Sequence, residues 1–207
     1  MGSTISIKEC GRMNTKNILV GTLFLFFVVG GILTFMDGKA AEPITIYSKG
    51  QWDSRVLNNS YLANKSDVIV IGEVKEILPG KWTTANGKKP AIVDDECIYT
   101  DVIIGVEEYL KNPQPSEEIT VRVMGGKVGE DRVLVTDEAE FELGEKVLLF
   151  LTTEDPFTKN LGGEHFRVTS WAHGKFKIVD DRAIPKVMEE HQNISLQELR
   201  EVIQENK

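Results

Sequence analysis

Cysteine is scarce in this sequence: Cys10 and Cys97 are the two among 207 residues. A long apolar run separates them, which places them on opposite sides of a membrane and forbids pairing. No disulfide framework is available, so the chain must fold by burial alone, and its length permits that. Cys97, with no base arguable beside it, reads as a small core residue rather than a nucleophile. Histidine is equally sparse. His165, His173 and His191 show neither the i, i+4 spacing of HExxH nor a Cys–His ligand spacing. They read as surface residues, with His165 and His173 flanking one strand too far apart to meet. A GxSxG elbow is absent. Gly125, Gly126 and Gly129 lack the GxxxxGK[ST] pattern of a phosphate loop and read as a hairpin connection. Basic residues are outnumbered, 24 against 32 acidic, for a net charge of −8 and a pI near 5.0. That balance excludes the basic stripe of a nucleic-acid binder. No catalytic, cofactor-binding or metal residue is assigned, no cofactor is expected, and the chain is not read as an enzyme.

What the sequence has in plenty is apolar residues at one place. Residues 18–36, ILVGTLFLFFVVGGILTFM, carry no charge. As a helix they span about 28 Å, close to the hydrocarbon thickness of a bilayer. Lys8, Arg12 and Lys16 precede them, so the positive-inside rule sets residues 1–17 in the cytoplasm and the remainder outside. The run is longer than an ordinary signal h-region, which favours a retained signal-anchor. Gly38 and Ala40 nevertheless fit a cleavage site after Ala40, which would leave a secreted chain. Residues 37–66 form a tether and a short helix in which Trp52, Val56, Leu57 and Tyr61 share a face and Asp53 is the N-cap. Beyond residue 40 the balance of charge falls to −10, because the leader keeps four basic and two acidic residues. Such a domain is repelled by anionic lipid and nucleic acid and suits cationic partners.

Residues 67–207 read as the extracytoplasmic domain, organised around Phe141–Leu151. There Gly144 and Glu145 make a turn and Val147–Leu151 run unbroken as a strand buried on both faces. Further strands fall at 67–78, with Gly72 marking a bulge or barrel corner, and at 97–110, 118–124, 132–136, 164–172 and 175–179. In the second, Ile98, Thr100, Val102, Ile104 and Val106 share one face. Pro79–Glu96 is a long polar excursion of the kind that carries function. Its Asp94-Asp95-Glu96 run lacks the spaced calcium pattern, and that run and Asp137, Glu138 and Glu140 read as solvated loops. Asp180-Asp181 is a turn signal. Ser195 and Glu198 form a capping box opening an amphipathic helix over 195–206, with Leu196, Leu199, Val202 and Ile203 as its stripe.

The stretches Ser66–Val74, Tyr99–Val106 with Tyr109-Leu110-Lys111, Gly144–Leu151 and Gly174-Lys175-Phe176 together resemble a group of uncharacterised exported or membrane-anchored prokaryotic proteins. Their order is remotely similar to the netrin/metalloproteinase-inhibitor module, an OB-type barrel. The resemblance covers about Ser66–Val179 and implies an OB-like barrel there; with the helices read above, the fold expected is mainly β, a small antiparallel OB-like β-barrel with a C-terminal amphipathic helix, preceded by one N-terminal transmembrane helix. Inhibitors of that module use an N-terminal cysteine and several disulfides, neither of which is present here, so no inhibitory residue is carried over. The function expected is a non-enzymatic binding module at the cell membrane, engaging a protein partner at the cell surface. The alternatives are a protease inhibitor-like module and a cell-envelope hydrolase.

Overall fold

The structure, a computed structural model, describes residues 4–6, 43–48, 54–158, 160–186 and 194–206. The expected span at 18–36, the cap Asp53, and His191 lie outside these residues. Among the described residues no helix is long and apolar enough to cross a membrane.

The fold is mainly β with a C-terminal helix. In chain order the strands are β1 (Thr4–Ser6), β2 (Thr45–Ser48), β3 (Val68–Ile77), β4 (Lys81–Trp82), β5 (Ile98–Lys111), β6 (Glu118–Met124), β7 (Gly126–Val128), β8 (Asp131–Val135), β9 (Lys146–Thr152), β10 (Arg167–Val168), β11 (Lys175–Val179), β12 (Arg182–Pro185) and β13 (Ile194–Ser195). The helices are α1 (Asn59–Lys65) and α2 (Leu196–Glu205). The larger sheet runs β13-β12-β11-β9-β3-β5-β4, with β10 on β9 and β6 on β5, and a smaller one runs β1-β2-β8-β7.

The Val147–Leu151 run is indeed the centre. β9 pairs antiparallel with β3 on one edge and β11 on the other. Its side chains alternate between two cores. Val147, Leu149 and Leu151 join Val70, Val102, Ile104 and Val121, while Leu148 and Phe150 join Ile69, Phe176, Leu199 and Ile203. A strand with both faces covered has no use for polar alternation, which is why it reads as a solid apolar run.

β3 is shared by both halves of the larger sheet and must bend. Its register against β5 shifts at Ile69/Val70, Ile71/Gly72 and Val74/Glu76. At Gly72 a Cβ would sit 2.4 Å from the Gly105 carbonyl oxygen and 2.8 Å from Ile104 Cγ2. Only a residue without a side chain fits, as expected of a strand glycine at a bulge. Gly72→Ala is expected to lower the unfolding free energy by about 1–3 kcal/mol through overpacking. An unchanged urea midpoint would refute that account of the bend.

Two local expectations are corrected. The helix of the tether is broken: a 3-10 turn at Ser54–Leu57 is followed by α1, whose N-cap is Asn58, with its Oδ1 accepting the Tyr61 N–H at 3.1 Å. The side chains buried are Val56, Leu62 and Ala63, while Leu57 is exposed. The strand expected at 164–172 shortens to β10, because Ser170 and Trp171 take positive φ of 56° and 61° and the chain enters a 3-10 turn, Trp171–Gly174. Two local signals hold. Asp180 and Asp181, at φ 47° and 58°, make the two-residue turn from β11 to β12. Ser195 and Glu198 complete their capping box on α2.

The closed barrel is also corrected. The circuit β9-β3-β5-β6 returns to β9 through β10, but between β6 and β10 the described residues make no ladder. They make one parallel bridge, Val121 with Phe166. Two hydrogen bonds hold it, Phe166 N to Thr120 O at 2.9 Å and Arg122 N to Phe166 O at 2.8 Å. The physical reason is the path of the chain: β10 is two residues long, ended by left-handed Ser170 and Trp171, and before Phe166 the backbone turns at Gly162 and Gly163, both at positive φ.

Candidate functional site

The seam is built from the faces of β5 and β6 that turn away from the apolar core. On β6, Ile119, Val121 and Val123 point to the core, so Arg122 points to the other side. Asp101 of β5 stands directly opposite it. Strand alternation alone makes this a solvent face. The connection 153–166 crosses over it instead and buries the pair.

Arg122 grips Asp101 with two bonds, Nε to Oδ1 at 2.6 Å and Nη2 to Oδ2 at 3.0 Å. Its guanidinium lies 4.3 Å from the Tyr99 ring centroid, and Nη1 donates to Thr158 Oγ1 at 3.3 Å. Thr158 Oγ1 in turn donates to Asp155 Oδ2. Asp155 Oδ1 accepts the backbone N–H groups of Phe157 and Thr158 at 3.0 and 3.1 Å. Arg167 reaches Asp155 at 3.5 Å and Glu138 at 3.1 Å, with the rings of Phe157 and Trp171 at 4.9 and 4.7 Å from its guanidinium. The left-handed backbone at Trp171 brings that indole into place. Three carboxylates, Asp101, Glu138 and Asp155, thus face Arg122, Arg167 and His165 in one buried network.

Burial disfavours the charged form of both Asp155 and Glu138, with opposite outcomes. At Asp155, burial is outweighed by hydrogen bonds from Thr158, His165 and two backbone N–H groups, which hold the carboxyl well below the usual carboxylate range. At Glu138, burial outweighs Arg167 and the N–H groups of Met124 and Ala139, and the carboxyl is pushed up.

His165 lies at the edge of this network, in a cleft of about 680 Å³ lined by Ser116, Glu118, Thr120, Asp155, Glu164 and Phe166 among others. Its Nε2 faces Asp155 Oδ2 at 2.8 Å and its Nδ1 faces the Gly163 carbonyl oxygen at 2.8 Å. Both ring nitrogens are thus engaged within the protein. His165 is therefore not the surface residue the sequence suggests. His173 is also buried. It lines a separate crevice with Val56 and Phe176, and burial, against the pull of Asp137, lowers its pKa.

The acidic runs part company. Glu138, expected in a solvated loop, is 3% exposed and belongs to the network. Glu140 stays outside, paired with Lys186 at 2.8 Å. Asp94 and Asp95 are exposed, and the Glu96 carboxylate accepts the Asp94 N–H at 3.1 Å. Among the described residues no group of three or more His, Cys, Asp or Glu side chains is placed to hold a metal ion.

The Pro79–Glu96 excursion has a firm stem. Trp82, on β4, is fully buried with Cys97, Ile98, Tyr99, Met124 and Val133. Thr83 Oγ1 accepts the Cys97 N–H at 2.8 Å, and Lys89 pairs with Asp131 at 2.7 Å. Further out, Ile92 is 80% exposed. Beside the stem lies an apolar groove of about 230 Å³, lined by Ile77, Val102, Val123, Gly126, Leu134 and Phe141 among others, with Ile77 and Leu134 exposed. Compared with known proteins, the chain matches no protein-family model and no curated protein.

Sequence reasoning missed the seam network. The one signal was the isolated charge in the middle of each apolar strand, Asp101 in IYTDVII and Arg122 in ITVRVM. Nothing local says that a later connection covers them.

Proposed function

We propose that the chain is a non-enzymatic binding module of OB-type strand order, held outside the cell membrane by residues 18–36, that engages a protein partner through the Pro79–Glu96 loop and the groove beside it. The observation that carries this reading is the contrast within the loop. A fully buried Trp82 fixes the stem while Ile92 stands 80% exposed. A rigid scaffold presenting an apolar side chain is what a binding loop needs. The circuit β9-β3-β5-β6-β10 supports the OB-type order, in which ligands bind one sheet face and its flanking loops. The proposed likeness to the netrin/metalloproteinase-inhibitor module rests on that order. An envelope hydrolase is disfavoured because both nitrogens of His165, the histidine in the large cleft, are engaged within the protein.

A span at 18–36 separates Thr4–Ser6 from Thr45–Ser48, which the structure pairs, so the anchored form dispenses with that pairing. Protease added to intact cells is expected to remove the domain; a protected C-terminus sinks the orientation and leaves the β1–β2 pairing standing. Cross-linking on the same cells is expected to capture partners that Ile92→Asp and Ile77→Lys lose, with the unfolding midpoint unchanged. A partner set indifferent to both substitutions overturns the loop and groove assignment.

A further inference from the structure

We propose that the cleft beside Thr120 takes an extended basic peptide as an added strand on the edge of β6. The bond from Val106 N to Glu117 O, 2.7 Å, fixes the parity of the β5–β6 ladder. Residues 117, 119 and 121 therefore turn their backbone groups to β5, and 118, 120 and 122 turn theirs outward. Of these outward groups, Arg122 N and Thr120 O are spent on Phe166. Past that bridge the chain leaves the edge through Gly163 and Gly162, both at positive φ. The Thr120 N–H is thereby turned to the cleft. The next outward groups, Glu118 N and O, are held by the small Ser116 hydroxyl at 3.2 and 2.5 Å. A short hydroxyl cap of this kind is displaced by an incoming strand without disturbing the core.

The charge of the cleft selects the partner. Among the described residues its lining includes Glu118 and Glu164, both exposed, and holds no lysine or arginine. Main-chain bonds to the Thr120 N–H, and to the Glu118 N–H and carbonyl once the Ser116 hydroxyl is displaced, give affinity to any extended peptide, and flanking side chains give the choice among them. Here the carboxylates choose lysine or arginine at alternate positions. Neither the membrane anchor nor the Pro79–Glu96 loop enters this inference.

The test is fluorescence anisotropy of a labelled hexapeptide of alternating valine and lysine, titrated with the full chain in detergent micelles. The peptide is expected to bind, and its valine–glutamate counterpart to bind at least about tenfold more weakly. Methylation of alternate peptide nitrogens is expected to cost about tenfold, since it removes main-chain bonds and leaves the charge intact. Glu118→Lys with Glu164→Lys is expected to abolish binding at an unchanged unfolding midpoint. Ser116→Ala, which frees the Glu118 backbone, is expected to tighten binding about threefold. Equal binding of the glutamate peptide, of the methylated peptide or by the double lysine variant overturns the proposal, as does a Ser116→Ala variant that binds no tighter.

Discussion

Arg122→Met is expected to lower the unfolding free energy by about 3–5 kcal/mol, the cost of leaving a buried carboxylate without its cation. Asp101 has both oxygens committed to this one guanidinium, and both side chains are almost wholly shielded from water. Removing the cation leaves a charge that can neither reach solvent nor find another partner. Urea unfolding followed by tryptophan fluorescence measures the loss. The companion variant, Asp101→Leu with Arg122→Met, is expected to recover most of it, because an apolar pair of similar volume removes the stranded charge along with its partner. If the double variant is no more stable than the single, the loss comes from packing against Tyr99 rather than from charge. The exposed pairs serve as the contrast. Lys146 with Glu107 and Lys75 with Glu73 are half in solvent, and removing either partner is expected to change stability by less than about 1 kcal/mol.

The second large effect is expected on α2. Leu199 is fully buried in the core formed by Phe150, Phe176, Leu62 and Ile203. Truncating such a leucine to alanine costs about 2–5 kcal/mol. Leu199→Asp adds to this the burial of a carboxylate with no partner, so its cost exceeds the alanine figure. Against a total stability of about 5–15 kcal/mol for an ordinary domain, the variant is expected to be largely unfolded at 37 °C. Circular dichroism and the urea midpoint report it directly. A midpoint equal to that of the wild type places Leu199 outside the core and α2 off the sheet.

These two sites differ in how far the sequence announces them. Leu199 is legible because a helix carries its periodicity with it: the spacing of Leu199 and Ile203, after a Ser195–Glu198 capping box, marks the buried stripe before any partner is known. β9 is legible for the same local reason, since an unbroken apolar run bounded by a turn has one economical placement. Gly72 is legible as a bend, because an interior strand glycine signals close backbone approach. The seam is not legible. Asp101, Arg122, Glu138, Asp155 and Arg167 come from five separate stretches, and each alone looks like an ordinary polar residue on a solvent face. Only the passage of 153–166 across β5 and β6 turns them into a buried network. Barrel closure fails in the sequence reading for a related reason, since strand signals say where ladders start and not where positive-φ turns such as those at Gly162, Gly163, Ser170 and Trp171 cut them short.

The placement of β9 has a consequence for how the chain is made. Its partner on one edge is β3, where Val68 meets Leu151, and on the other β11, where Lys177 meets Val147. One partner is synthesised long before it and the other well after. Pairing over such distances is slow, because a large loop must close before any contact rewards it. Until β11 arrives, VLLFL presents an unpaired edge and two apolar faces, the features that drive association between incomplete chains. A chain that leaves the ribosome or a translocation pore N-terminus first therefore holds this apolar strand open until Lys175–Val179 emerges. Chaperone dependence and inclusion-body formation are accordingly expected to rise in truncations that remove α2, which uncover Leu148 and Phe150, and to rise further in those that also remove β11 and leave the edge of β9 unpaired.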